Sequence, residues 1–421
     1  MRNYILNARS TARAALITGA LLVSAAMLLP PSPAAAAEEK KPTVSRDLAK
    51  TLKAAQEALQ QKKYSDALAK LKEAEANPKK TPYDEHVINE LAGVAYARTN
   101  NYPEAAKAFE AELNDGFLDQ SEVPGRVKAV AQINYQIKNY DKAIEYGMRA
   151  VKGGYADDQM ITLVGQSYYL KGDWKGTLKF EDSLIDSQMK KGQTPKLESL
   201  QLALSSCIKV QDSDCTTHEL ERMVEFYPKP EYWQQLLYTL YSGPQQSDRN
   251  MLQLFRLMAE VDVLKRPEDY TEMAQLALEQ GSPGEAQHIL EKAIQKNVFT
   301  DTRSLDKNKR LLESAKKAAA SDQASLARNQ SEADASQTGE KDVGVGLAYL
   351  GYQQYDKAVD ELNKGITKGS LKNDAEAHLL LGIAQLKAGH KDDSIKAFHA
   401  VKGDPFLQRL ATLWSLHAKQ A

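Results

Sequence analysis

Residues 93–109 read GVAYARTNNYPEAAKAF. Small and aromatic residues stand in this stretch at steps of three, six, three and four, namely Gly93, Tyr96, Tyr102, Ala105 and Phe109. Apolar residues on both sides of the polar run at 99–101 recur every three or four positions, which is the period of a helix and not of a strand. The stretch therefore predicts two antiparallel helices joined by a short turn.

The same spacing recurs along the chain. A second full copy consists of Gly346, Tyr349, Tyr355, Ala358 and Leu362. Weaker copies, with substitutions at some positions, begin at Ala55, Ala131, Gly165, Ala274 and Gly382. Because a lone helical hairpin cannot bury its apolar face, seven copies in one frame predict a solenoid of stacked hairpins.

The intervals between copies show where degenerate units lie. The second small residue recurs every 34 to 39 residues, except for two intervals that are about twice as long. Each long interval predicts one hidden unit. The first covers 231–264, with a lengthened turn at 242–244. In the second, 305–320 has a helical pattern with few apolar residues, and 321–341, rich in Ala, Ser, Asp and Gln, is the predicted linker or frayed unit.

These residues resemble the tetratricopeptide (TPR) repeat family. The resemblance implies an all-α, right-handed α-α superhelical solenoid of about nine hairpin units, some of them degenerate. Residues 405–419 are apolar on one side and predict a C-terminal capping helix. The predicted division is a main array at 38–300, a degenerate unit and linker at 301–340, and a C-terminal repeat pair with its capping helix at 341–421.

Residues 1–37 have the pattern of a signal peptide. Three arginines precede the apolar run at 14–29, and small residues at Ala35 and Ala37 predict cleavage before Glu38. The apolar run is short for a membrane-spanning helix, although an uncleaved anchor is the alternative. The expected mature chain is periplasmic, without an integral membrane segment.

Charge excludes two classes of partner. Residues 1–37 hold three arginines and no acid, so their removal moves the formal charge from −1 to −4. The remaining acids and bases are interspersed. The sequence has neither the basic stripe that nucleic-acid binding requires nor the lysine-rich amphipathic face of a protein that binds anionic membranes.

The two cysteines, Cys207 and Cys215, flank a predicted turn between two helices. A disulfide between them is the favoured interpretation for an oxidising compartment, and it would stabilise the fold by about 2–3 kcal/mol. Two unlinked buried thiols are the alternative. A zinc site is not expected, because His218 is the only histidine close to them.

No motif for chemistry is found. The histidines stand singly, at His86, His218, His288, His378, His390, His399 and His417. There is no His-Glu-x-x-His, no Gly-x-Ser-x-Gly and no phosphate-binding glycine loop. The sequence therefore predicts no catalytic, cofactor-binding or metal-binding residue, and an enzyme is a remote alternative.

In the TPR family the first helix of each unit lines the concave side of the array. Projection of that face gives a polar surface with tyrosines, whose amide and phenol groups suit protein recognition. Its predicted partner-binding residues are Arg98, Lys128, Gln132, Tyr135, Gln136, Thr162, Gln166, Tyr169, Gln201 and Lys209, and Glu90, Val94 and Ser205 share the face. A solvated face without a partner is the alternative.

The resulting hypothesis is a periplasmic adaptor that binds a protein partner of the cell envelope along its concave surface. The segments 227–233, 276–278 and 281–283 are similar to those of exported TPR proteins that accompany TonB–ExbB–ExbD systems, which implies a role in envelope transport. The alternative function is glycan binding in polysaccharide secretion, with Tyr135, Tyr169 and Trp174 stacking on sugars. The sequence leaves the oligomeric state open.

Overall fold

The computed structural model describes residues 42–244 and 246–420. The predicted signal peptide and its cleavage site lie outside them. Within the described ranges the chain forms twenty helices and no strand. The helices are α1 (Ala49–Gln60), α2 (Tyr64–Glu75), α3 (Pro82–Arg98), α4 (Tyr102–Asn114), α5 (Val123–Gln136), α6 (Tyr140–Lys152), α7 (Asp158–Lys171), α8 (Trp174–Lys190), α9 (Leu197–Lys209), α10 (Ser213–Phe226), α11 (Pro230–Tyr241), α12 (Asp248–Glu260), α13 (Pro267–Glu279), α14 (Pro283–Gln295), α15 (Thr302–Asp334), α16 (Glu340–Gly351), α17 (Tyr355–Lys368), α18 (Asp374–Lys387), α19 (Lys391–Ala400) and α20 (Pro405–Gln420).

Eighteen of these helices pair into nine antiparallel hairpins. Helices α15 and α20 belong to no hairpin, although both pack on their neighbours. Each hairpin from α1 to α10 packs its second helix against the first helix of the next. The predicted all-α repeat solenoid is confirmed. The degenerate unit predicted at 231–264 is the hairpin of α11 and α12.

Glycine in the repeat makes room for the second helix of its own hairpin. In three units a Cβ atom on the glycine would clash with the residue sixteen positions later: Gly93 with Phe109 (2.3 Å), Gly346 with Leu362 (2.7 Å) and Gly382 with Phe398 (2.4 Å). The small residue thus lets two backbones approach around one large apolar side chain.

The hairpin turns share one backbone conformation. In eight of the nine, the residue two positions before the second helix has positive φ. These residues are Lys62, Asn100, Lys138, Gly172, Gln211, Gly281, Gln353 and Gly389. The exception is the lengthened turn before α12.

The linker predicted at 321–341 is wrong. Residues 302–334 form one helix of 33 residues, α15, which is about 50 Å long. Its alanine-rich sequence favours helix, and its second half is held by contacts that the sequence does not show. Tyr352 Oη donates to Asp322 Oδ2 at 2.6 Å, and Gln330 Nε2 donates to Glu361 Oε1 at 2.9 Å.

The C-terminal helix does more than cap the last hairpin. Helix α20 packs on α18 and α19, as predicted, and also on α10 and α12. Arg409 Nε lies 2.6 Å from Glu221 Oε1, and Gln420 Nε2 donates to Val224 O at 2.9 Å. The boundary predicted at 340/341 therefore does not separate two packing units, because α18–α20 share a core with α10–α14.

Helix α12 lies at the centre of this closed C-terminal half. Its residues from Leu252 to Met258 are all buried, as expected for a helix surrounded on every side. Helices α1–α8, by contrast, contact only helices close to them in sequence, so this part of the array is an open row. No described helix is long and apolar enough to cross a membrane.

Candidate functional site

The predicted groove residues fall into four rows across the first helices α3, α5, α7 and α9. Each row holds one residue from each helix. All four residues of a row stand the same number of positions from the repeat's first small residue, which is Gly93 in α3, Ala131 in α5 and Gly165 in α7; Leu204 takes that place in α9. The first row is Glu90, Lys128, Thr162 and Gln201; the second is Val94, Gln132, Gln166 and Ser205; the third is Ala97, Tyr135, Tyr169 and Ile208; the fourth is Arg98, Gln136, Leu170 and Lys209.

Tyrosines of the third row bond to the second row of the next helix. Tyr135 Oη donates to Gln166 Oε1 at 2.8 Å, which ties α5 to α7. Tyr169 Oη and Ser205 Oγ lie 2.7 Å apart and tie α7 to α9. We call these two bonds the tyrosine ladder. Because the two bonds are equivalent in register, they hold successive first helices at a fixed spacing.

First-row residues add contacts of the same kind. Lys128 Nζ lies 2.7 Å from Asp157 Oδ2, and the other carboxylate oxygen accepts from Met160 N at the start of α7. The hydrogen bond from Lys128 holds the pKa of Asp157 below its ordinary value. Gln201 Nε2 lies 3.5 Å from Tyr232 Oη, a long contact from α9 to α11.

The remaining predicted residues are less constrained. Arg98, Gln136 and Lys209 are exposed at the last residue of their helices, and Gln132 is half-buried. Thr162 Oγ1 donates within its own helix, to Asp158 O at 2.9 Å. The ten residues stand on the first helices α3, α5, α7 and α9, and two of them, Tyr135 and Gln166, bond to each other, which sequence reasoning did not anticipate. Their role in partner binding stays a prediction.

Sequence reasoning missed two residues of this face, Leu170 and Ile208. Their exposed fractions are 51% and 49%, and Met189, at 38%, is the one other exposed large hydrophobic side chain in the described ranges. Ile208 takes the third-row place of Tyr135 and Tyr169, so the ladder ends there. Leu170 is in the adjacent fourth row of α7. An apolar residue in a row of polar ones was the available signal.

Trp174 contacts Tyr169 and Lys209, the chain neighbours of Leu170 and Ile208. Its ring meets Tyr169 edge-on, with 4.9 Å between ring centroids. Lys209 Nζ lies 5.9 Å from the centre of the Trp174 ring. Trp174 opens helix α8 and is half-buried, so it closes the turn of its own hairpin as the repeat requires.

Cys207 and Cys215 are joined by a disulfide, with 5.5 Å between their Cα atoms. The bond crosslinks α9 to α10 directly beside Ile208. It therefore fixes the end of α9 at the place where the face is most apolar.

One acidic group in the described ranges has the geometry of a cation site. Carboxylate oxygens of Asp334, Asp342 and Glu361 lie within 4.8 Å of one another. Lys364 Nζ lies 3.0 Å from Asp334 and 2.7 Å from Glu361, and Lys368 Nζ lies 2.9 Å from Asp342. Two ammonium groups thus supply the positive charge that a metal would bring, and we assign no metal.

One protein-family model matches part of this chain. Residues 55–202 match the model of the RNPP family C-terminal domain, a region that runs from α1 into α9. Within the described ranges the chain is an all-helical protein of repeated hairpins, and its first half is similar to that domain. No curated protein matches its sequence.

Several solved structures are similar at low identity. A tetratricopeptide repeat protein from Parabacteroides merdae is 13% identical, with 72% of this chain and 99% of that chain covered and a TM-score of 0.29. The TPR2AB domain of yeast Sti1, solved with a pHSP90 partner, is 13% identical over 71% and 100% of the two chains, with a TM-score of 0.24. Yeast Tom70 is 9% identical over 89% and 96%, with a TM-score of 0.25. Likenesses this weak say nothing about the function of this chain.

Proposed function

We propose that this protein is an exported adaptor that holds a protein partner against the concave face of α5, α7 and α9. The observation that carries the proposal is the exposed pair of Leu170 and Ile208 beside the tyrosine ladder. Exposed apolar side chains on a face that also carries tyrosine and amide groups are typical of a protein interface.

The open row of α1–α8, together with α9 where it joins the closed half, suits this role better than the rest of the closed half. In the closed half, helix α20 packs between α10, α12 and α18. In the open half, the tyrosine ladder holds the first helices in position before a partner arrives. A preorganised face loses less conformational entropy on binding, which favours affinity.

An oxidising location outside the cytoplasm is part of the proposal. The signal-peptide pattern of residues 1–37 supports it, and so does the Cys207–Cys215 disulfide, because such bonds persist in oxidising compartments. The test is the intact mass of the chain purified from its natural source. We expect a chain that begins at Glu38 with both cysteines oxidised, and a mass that includes residues 1–37 would contradict cleavage.

We further propose that the partner belongs to an envelope transport system of the TonB–ExbB–ExbD type, on the sequence resemblance at 227–233. The glycan alternative has no comparable support. The Tyr135 and Tyr169 hydroxyls are engaged with Gln166 and Ser205, and Tyr169 also meets Trp174 edge-on. A sugar would find fewer free ring faces and hydroxyl groups there.

The direct test compares two variants of the mature chain as bait in envelope extract. In the first, Leu170→Asp and Ile208→Asp place charge on the two exposed apolar residues of the face, and capture of the partner should fall about tenfold or more. The matched control is Met189→Asp, which alters another exposed apolar residue, at the end of α8, and should capture as well as wild type.

Both variants must first give the wild-type helical circular dichroism spectrum. Equal capture by all three chains would contradict the proposal that the concave face binds the partner. A captured protein unrelated to TonB–ExbB–ExbD would overturn the pathway assignment and leave the binding face in place.

A further inference from the structure

One carboxyl group stands where the repeat calls for an apolar side chain. Glu181 lies sixteen residues after Gly165, the place that Phe109, Leu362 and Phe398 hold in other units. Its exposed fraction is 2%. A Cβ atom at Gly165 would lie 2.0 Å from Glu181 Oε1, so the carboxyl fills the same narrow space as the apolar residues elsewhere.

A small cavity opens beside this carboxyl, between α7, α8 and α9. Its volume is about 50 Å³, and its polar lining consists of Asp158, Thr162, Glu181, Gln188, Lys196, Glu198 and Ser199. Ser199 donates a hydrogen bond to the Glu181 carboxyl group, but the buried Oε2 atom has no hydrogen-bond partner in the described ranges. A buried acceptor without a donor is costly, so an unfilled hydrogen-bonding position exists at this cavity.

The charge around the cavity favours a cation. Asp158, Glu181 and Glu198 are three acids against one base, Lys196. That base is engaged at the rim, where its Nζ lies 2.9 Å from Asp158 Oδ2. A cation that entered the cavity would meet two uncompensated carboxyl groups.

The cavity meets the concave face. Thr162 lines the cavity and also belongs to the first row, in register with Lys128 and Gln201. A side chain that projects from a partner on this face can therefore reach Glu181. The volume accommodates an ammonium group and little else.

We propose that the cavity receives the ammonium group of a lysine side chain of the protein partner, and that Glu181 binds it. This inference rests on the proposed function and specifies the chemistry of the partner. It also accounts for a carboxyl group at a place where an apolar residue would stabilise the fold more.

The pH dependence of binding follows from the charges on each packed helix. Burial raises the pKa of Glu181 to about 7. The hydrogen bond from Ser199 lowers the pKa by less than burial raises it, and the charge of Asp182 on α8 adds to the rise. Asp158 on α7, Glu198 on α9 and Lys196 just before α9 are the other charged groups of the cavity. A cation binds the ionised carboxylate, so affinity should strengthen as pH rises through about 7.

The experiment uses n-butylammonium as the probe and the uncharged n-butanol as its isosteric control, in calorimetric titrations of the full mature chain. We expect one butylammonium site in wild type, tighter at pH 8 than at pH 6, and no site for butanol. In Glu181→Leu the site should be lost. This variant should fold, because Leu362 packs on Gly346 in the same way.

Two results would overturn the inference: no butylammonium binding by wild type, or equal binding by Glu181→Leu. The same variant is then used as bait in envelope extract, where capture of the partner should fall. If butylammonium binds but capture is unchanged, the cavity takes a free amine and not a partner lysine. If the concave face does not bind the partner at all, the variant with Leu170→Asp and Ile208→Asp will capture it as well as wild type, which distinguishes that result from loss of the cavity alone.

Discussion

Three buried glutamates, Glu112, Glu181 and Glu219, each lie on the second helix of a hairpin. Glu112 and Glu181 belong to the open row, and Glu219 lies where that row joins the closed half. Burial raises the pKa of Glu112 to about 8, although Arg126 Nη2 lies 2.8 Å from it. Burial likewise raises the pKa of Glu181 and of Glu219 to about 7. A raised carboxyl pKa means that the folded state holds protons that the unfolded state releases.

The stability of the protein should therefore fall as pH rises. The contribution of these groups is full below the ordinary glutamate pKa and is lost as pH rises through about 7 to 8. We expect the thermal midpoint to decrease from pH 5 to pH 8.5. Glu181→Leu should flatten that decrease and stabilise the chain at pH 8 by up to about 3 kcal/mol.

Scanning calorimetry at several pH values measures this effect, and Glu75→Gln on the exposed surface of α2 is the matched control. The control should keep the wild-type slope. An identical slope for Glu181→Leu would show that Glu181 does not hold a proton in the folded state.

At the scale of single elements, the turns are the most regular feature of the array. Lys138 and Gly172 hold the same place in successive turns, with φ of 62° and 83°. A left-handed backbone costs a lysine about 1 kcal/mol or more, and glycine adopts it freely. The turn sequence thus leaves strain in some hairpins and not in others.

Exchange of the two residue types should change stability in opposite directions. Lys138→Gly should stabilise the chain by roughly 1 kcal/mol, and Gly172→Ala should destabilise it by a similar amount. Urea denaturation followed by circular dichroism gives both values. Destabilisation by Lys138→Gly would mean that the lysine side chain contributes more to the turn than the backbone strain removes.

The sequence predicted the helices and their turns because the repeat fixes small residues, aromatic residues and polar turns at constant steps. It failed at α15, where contacts from Tyr352 and Glu361 decide the structure and the local composition resembles a linker. Its projection of the candidate partner-binding face also left out Leu170 and Ile208. The projection selected polar and aromatic side chains as candidates for partner binding, so it left out exposed aliphatic side chains on the same helices.

At the scale of the whole molecule, helix α20 closes the second half of the array. Burial alone would raise the pKa of Glu260, but hydrogen bonds from His417 and Lys387 outweigh it and hold the pKa at about 2. This carboxylate ties α12 to α18 and α20. No periodic pattern could predict such contacts, since they join residues more than a hundred positions apart.

Removal of the central side chain of α20 should loosen the closed half alone. Trp414 is 1% exposed and stacks on Phe398. We expect Trp414→Ala to cost about 3–5 kcal/mol of local stability. Hydrogen exchange should then lose protection at 252–258 in α12, while α5 and α7 exchange as in wild type. Uniform loss of protection along the chain would contradict the division into an open and a closed half.

The central claim is that the partner lies on the concave face at Leu170 and Ile208. Photo-crosslinking in intact cells tests it most directly, with benzoylphenylalanine placed singly at Leu170, Ile208 or Met189, three exposed apolar positions. The account predicts the same discrete adduct from positions 170 and 208 and none from 189. An adduct from 189 alone, or equal adducts from all three, would contradict it.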